Sequence, residues 1–212
     1  MSLTLQNLTV DLAGHCLVSL DVTVKRGEVL TLMAPSGAGK STALAAIIGT
    51  LPPAFTLTGR ILLDGADMTE VPTRLRRIGL LFQDDVLFPH LSVGGNLGFA
   101  LPPRTPDRKA RIEAALASAG LAGFADRDPA TLSGGQRARV ALMRSLLAEP
   151  RALLLDEPFS RLDAGLRAQI RSFVFDRARM LGLPMILVTH DPEDARAAAG
   201  PLLDTLGRSP IH

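Results

Sequence analysis

Between Glu28 and Met33 the chain is almost continuously apolar, and it then breaks into Ala34-Pro35-Ser36-Gly37-Ala38-Gly39-Lys40-Ser41-Thr42, followed by helix-compatible sequence from Ser41 to Ile48. A short apolar run of this kind is the pattern of a strand covered on both faces. Strand, glycine loop and helix in that order restrict the fold more than any other feature. Glycines without Cβ atoms let backbone N–H groups approach an anion at the helix N-terminus, Lys40 reaches terminal phosphates, and Ser41 is positioned to ligate Mg2+. A plain strand-to-helix turn that uses glycine only for positive φ is the competing reading, and the fuller match to a phosphate loop outweighs it. The general pattern has Gly at the position of Ala34. Because Pro35 pushes its predecessor to extended φ and ψ, which Ala tolerates, Ala34 is expected to fit.

Composition narrows the remaining possibilities. At 212 residues, with 47% hydrophobic and 21% charged residues, the chain has material for one main core with a small lobe, and the balance excludes general disorder. Lys25, Lys40 and Lys109 are the only lysines among 23 basic residues, so a lysine inside a glycine stretch stands out. Trp and Tyr are absent; single-strand nucleic-acid binders rely on such stacking surfaces, and nucleic acid is not expected as a partner. A lone Cys16 supports neither an intrachain disulfide nor a thiolate metal cluster. Met1 to Val10 shows no leader pattern, and no apolar run approaches about 18 residues. The expectation is a cytoplasmic chain whose membrane association comes through a partner.

Leu3, Leu5, Leu8 and Val10, then Leu20, Val22 and Val24, alternate with polar residues as half-buried antiparallel strands do. Ile78 to Phe82, Ala152 to Leu155 and Pro184 to Thr189 read as further buried strands, and with helices between them they indicate a parallel sheet. The fold class is therefore α/β, a phosphate-loop core with a mainly parallel sheet and an N-terminal antiparallel subdomain. Pro102, Pro103 and Pro106 mark a lobe boundary. Asp107 opens a helix with Ile112, Ala115, Leu116 and Ala119 on one face, closing at Gly120; Leu166, Ile170, Phe173, Val174 and Leu181 make a similar core stripe, closing at Gly182. The Arg74, Arg76 and Arg77 cluster, Asp84-Asp85, His15, His90 and His212 read as solvated surface.

Leu153-Leu154-Leu155-Asp156-Glu157-Pro158 ends a buried strand with adjacent carboxylates, at the edge of a parallel sheet where ligands bind. Strand alternation points the two side chains differently. Asp156 suits the Mg2+ shell, directly or through water, and Glu157 suits polarising an attacking water. Leu132-Ser133-Gly134-Gly135-Gln136 precedes a helix running to about Glu149, with Ser133 as its cap, and forms a second anion-binding helix end. Element lengths leave open which phosphate it meets.

The loop Ala34 to Thr42, Gln83 after a buried strand, Leu132 to Gln136, Leu153 to Pro158, Ser160-Arg161-Leu162-Asp163 and Thr189-His190-Asp191 occur in the order of an ATP-binding cassette transporter ATPase, which the chain resembles over nearly its whole length. The resemblance implies a single cassette over residues 1–212, with a helical lobe at about 84–132, that binds and hydrolyses ATP with Mg2+. Gln83 would link the shell of Mg2+ and water to movement of that lobe. Ser133, Gly134 and Gly135, with Gln136, would close over ATP held by the second cassette of a homodimer. Asp163 would couple the two sites, and His190 would contact the γ-phosphate.

Phe82 to Leu91 and Glu157-Pro158-Phe159-Ser160 resemble importer cassettes working with permeases and substrate-binding proteins, and Asp128 through Asp163 is similar to the Ynj-type importers in particular. An exporter or lipid-handling cassette is the alternative, ahead of a soluble cassette acting on nucleic acid or ribosomes. The family's adenine-stacking aromatic is missing, with Leu12 or His15 near its place. Gly95 replaces an acidic residue, and Arg161 stands where a small one is usual.

Overall fold

The computed structural model describes residues 1–35, 37–83 and 86–209. β1 (Leu3–Leu12) pairs antiparallel with β2 (His15–Val24), Leu3 opposite Val24 and Leu12 opposite His15. Strict alternation would send Leu8 and Val10 to the face opposite Leu3 and Leu5. A register shift between Leu5 and Leu8, where Asn7 takes φ 45°, resets the phase, and all four are buried. β3 (Val29–Met33) leads through the glycine loop into α1 (Lys40–Ile48). β4 (Phe55–Leu63) and β5 (Ala66–Asp67) complete a four-stranded antiparallel sheet of order β2-β1-β4-β5.

After α2 (Thr73–Arg76) and β6 (Ile78–Leu81) the chain enters a helical lobe, α3 (Val93–Ala100) and α4 (Arg108–Ser118), and returns through α5 (Gly134–Leu147). β7 (Ala152–Asp156), α6 (Ala164–Leu181), β8 (Met185–Thr189), α7 (Pro192–Ala198) and β9 (Leu202–Leu203) follow. The second sheet is parallel, in the order β6-β7-β8-β3-β9.

The apolar runs of β3, β7 and β8 follow from two cores, one on each face of this sheet. Leu153, Leu155, Met185 and Leu187 join Val140, Leu142, Ile170 and Val174 of α5 and α6. Their neighbours Ala152, Leu154, Ile186, Val188, Leu30 and Leu32 join Ala43, Leu44 and Ile47 of α1 and the buried face of β1. Neither side of the strand meets water, so neither accepts a polar residue cheaply, and each buried leucine contributes about 2 kcal/mol.

Several expectations change. Arg76 is not on the surface: it is 5% exposed, and its guanidinium donates to the carbonyls of Ala46 (3.1 Å), Ile47 (2.8 Å), Val71 (2.7 Å) and Thr69 (2.7 Å). Ala46 and Ile47 close α1, whose last carbonyls lack helical partners and carry the negative end of the macrodipole. Arg74 and Arg77 are exposed. Leu181, the last residue of α6, is exposed and does not join the core stripe. Asp107 precedes α4 in a left-handed conformation without a side-chain cap bond. Phe82 falls outside β6 and is exposed. Asp84, Asp85 and His212 lie outside the described residues.

Candidate functional site

β3 delivers the chain to the glycine loop at the carboxyl end of the parallel sheet. Ala34 is buried and does not have positive φ, so its Cβ is accommodated as Pro35 implied. Gly39 is the N-cap of α1 at φ 89° and makes no side-chain capping bond, so it does not itself occupy the amides of the first turn. A Cβ there would lie 2.9 Å from the Leu17 carbonyl of β2, so close approach as well as backbone conformation demands glycine. Ser36 lies outside the described residues.

Lys40 is 7% exposed; its Nζ donates to the Ala34 carbonyl at 2.6 Å and that of Pro35 at 3.4 Å, and sits 3.6 Å from Glu157 Oε1. Ser41 Oγ donates to Asp156 Oδ2 at 3.5 Å. Burial raises the Asp156 pKa above the usual carboxylate value, the neighbouring Glu157 charge adds to the rise, and Ser41 and Lys40 oppose it. Glu157 diverges from Asp156 by more than strand alternation. It follows the last residue of β7 with φ 45°, held by its N–H on the Val188 carbonyl at 2.9 Å. Such a conformation costs a non-glycine residue about 1–3 kcal/mol. It sends Glu157 Oε2 to within 3.1 Å of His190 Nδ1.

Gly37, Gly39, Lys40, Ser41, Thr42, Gln83, Asp156 and Glu157 line a cavity of about 390 Å³. Loop glycines, one ammonium, two hydroxyls, a carboxamide and two carboxylates line it, a set that holds a polyanion together with a hard cation. Ser41 Oγ and Asp156 Oδ2 fit Mg2+, which takes oxygen ligands and fills its remaining positions with water and phosphate oxygens. Among the described residues no group of three or more His, Cys, Asp or Glu side chains is arranged for a metal ion. A larger hollow of about 520 Å³ lies at the opposite strand ends, beside Arg77, Arg151 and Leu183. Its guanidiniums are engaged, Arg151 with Asp64 at 2.6 Å and Arg77 with the Glu149 carbonyl at 2.6 Å.

The remaining predicted residues form a separate cluster. Ser133 Oγ accepts from Gln136 N at 3.3 Å while Gln136 Oε1 accepts from Ser133 N at 2.9 Å, a reciprocal cap on α5. Gly135 is pressed against the start of α6, where a Cβ would sit 2.6 Å from Leu166 Cδ1, whereas at Gly134 the nearest atom is 3.8 Å away. Asp163 Oδ1 caps α6 by accepting from Leu166 N at 3.0 Å. None of these lines the cavity, nor do Leu12 and His15, which face one another across the first turn.

Arg167 was not singled out by the sequence. It donates to the Asp191 carboxylate, next to His190, and at 3.4 Å to the carbonyls of Ser160 and Leu162. Burial tends to raise the Asp191 pKa, but the Glu193 N–H and the Arg167 guanidinium outweigh it and hold the carboxyl below its usual value. No local pattern announces a contact across 24 residues.

A family model described as ABC transporter matches residues 17–160. The chain is 50% identical over 186 residues to YnjD of Escherichia coli, an uncharacterized ABC transporter ATP-binding protein, covering 87% of this chain and 86% of that one. It is 44% identical over 189 residues to the thiamine import ATP-binding protein ThiQ of Cereibacter sphaeroides, covering 88% and 80%. With the Fe(3+) ions import ATP-binding protein FbpC 1 of Haemophilus influenzae it shares 40% over 201 residues, covering 93% of this chain but 60% of that longer protein.

Proposed function

This chain belongs to the ABC transporter family, and on that premise we propose that it binds and hydrolyses ATP to power solute import through partner permease subunits. The observation that carries the reading is the convergence of Lys40, Ser41, Gln83, Asp156 and Glu157 on one cavity beside the glycine loop. The loop amides and Lys40 bind the phosphates. Lys40 already lies between the Ala34 carbonyl and the Glu157 carboxylate, so its ammonium is oriented before nucleotide arrives. Glu157 orients and polarises the attacking water, and His190, 3.1 Å from Glu157, faces the γ-phosphate and holds that carboxylate in place. Ser41 and Asp156, with Gln83 beside them, would hold Mg2+, which when bound would supply neutralising charge for the phosphate oxygens.

Ser133, Gly134, Gly135, Gln136 and Asp163 lie outside this cavity, which supports a homodimer in which each copy closes the other's nucleotide site. The exposed side chains of Phe82 and Val86, flanking Gln83, and of Phe99 on α3 offer apolar contacts for the permease; a substrate-binding protein delivers the solute from outside. No helix among the described residues is long and apolar enough to cross a membrane, consistent with a subunit attached peripherally to the inner face through that permease. Reconstitution with an importer permease from the same genome tests the reading: ATP turnover rises with transported solute, and ATPase stimulated by nucleic acid instead would overturn it.

A further inference from the structure

Thr205 follows β9, is 4% exposed, and donates its Oγ1 hydrogen to the Ala38 carbonyl in the glycine loop at 2.7 Å. Its own carbonyl accepts from Ser19 N of β2 at 2.8 Å, and β9 immediately before it pairs with β3 at Thr31–Leu202 and Leu32–Leu203. The hydroxyl is therefore anchored to both sheets. A trans peptide points its C=O and N–H in opposite directions. With the Ala38 carbonyl drawn to Thr205, the Gly39 N–H points away from Thr205, and Gly39 lines the cavity.

Reversing that peptide changes ψ of Ala38 and φ of Gly39. Gly39 sits at φ 89° and has no Cβ to resist the change, so the loop's own chemistry does not fix the orientation. A reversed peptide would present a carbonyl dipole to an anion where an N–H is needed. We propose that Thr205 is a positioning residue for nucleotide binding, its hydroxyl fixing the Ala38–Gly39 peptide with the N–H toward the phosphates. The proposal rests on the nucleotide reading of the cavity and adds a determinant supplied from the far end of the chain.

Calorimetric titration of the full chain with Mg-ATP tests it. Thr205→Val keeps the shape and removes the donor; its dissociation constant rises about five- to tenfold, while Thr205→Ser recovers wild-type affinity. In turnover the Val variant shows a raised KM for ATP with kcat at saturation held within about twofold, a split that general loosening of the fold would not produce. Equal affinity of Val variant and wild type, or equal weakening by Val and Ser, overturns the proposal. If wild type binds no Mg-ATP, the nucleotide reading itself falls, and this one with it. Should Thr205→Val fail to fold, hydrogen exchange on the wild type decides: Mg-ATP protects residues 203–208 along with 37–42, and protection of 37–42 alone is the overturning result.

Discussion

The glycine-loop cavity and the Ser133–Asp163 cluster are built on different principles. In the cavity, ionisable groups follow β3, β7 and β8, whose places are set by a core on both faces of one sheet, and they face one another across short distances: Lys40 to Glu157 at 3.6 Å, Glu157 to His190 at 3.1 Å. In the second cluster, Ser133, Gln136 and Asp163 spend their hydrogen bonds on capping their own helices. The first gathers a buried lysine and two half-buried carboxylates around an open cavity, where burial works against the Asp156 charge; the second is a surface whose polar groups are locally satisfied. Cavity variants should therefore alter nucleotide binding and chemistry, whereas variants in the second cluster should leave the cavity's affinity for ATP unchanged and act on helix capping or, in the homodimer proposed above, on its closure.

The largest expected effect belongs to the cavity. Glu157→Gln keeps the shape and removes the base, so steady-state ATP hydrolysis falls about 10²- to 10⁴-fold while Mg-ATP still binds in calorimetry. Wild-type turnover in that variant would strip Glu157 of its role.

The opposite pole is Gly134, where a Cβ would find Leu162 Cδ2 at 3.8 Å, an ordinary van der Waals contact. Gly134→Asp leaves the stability of the isolated chain within about 0.5 kcal/mol and its affinity for ATP unchanged, yet the anionic side chain obstructs the partner's phosphates and assembled ATPase falls at least about tenfold. Undiminished ATPase of the assembled transporter would erase the distinction between the two regions.

How much of this was legible in the sequence follows the same division between local and distant causes. The apolar runs of β3, β7 and β8 are readable because burial on both faces acts at every residue of the strand. The Ser133 cap is readable because its partner, Gln136, is three residues away. Arg76 was misread because its partners include Ala46 and Ile47, some 30 residues earlier, and nothing in Arg-Leu-Arg-Arg distinguishes the buried arginine from its exposed neighbours. Thr205 and Arg167 escaped notice for the same reason. The left-handed turn at Glu157 was hidden because the motif names the residue types but not the backbone that carries them.

Arg76 offers the next largest effect, on stability and not on chemistry. Arg76→Met removes the guanidinium donor from the buried carbonyls of Ala46 and Ile47, the former keeping only its 3.2 Å bond from Gly49 N–H, costing about 3 kcal/mol. Urea unfolding measures it as a lowered midpoint. A loss below about 1 kcal/mol would show that the helix carrying Lys40 and Ser41 is held by its apolar face alone.

The smallest effect concerns the Asp156 charge itself. Asp156 has a raised pKa in the fold, from burial first and the Glu157 charge second, so the folded chain binds its proton more tightly than the unfolded chain does. Stability then falls as pH rises from the ordinary carboxylate value near 3.8 through the raised folded value, because the ionised form is the one the fold disfavours. Asp156→Asn cannot ionise and lacks this decline, so in metal-free, nucleotide-free buffer it is more stable than wild type above that window and its advantage shrinks below it. The second cluster supplies the control: Ser133→Ala removes an uncharged cap, costing about 1 kcal/mol at every pH. Parallel stability curves for Asp156→Asn and wild type would mean that Lys40 and Ser41 fully offset the burial, and the cavity would then be no more strained than the surface it is compared with.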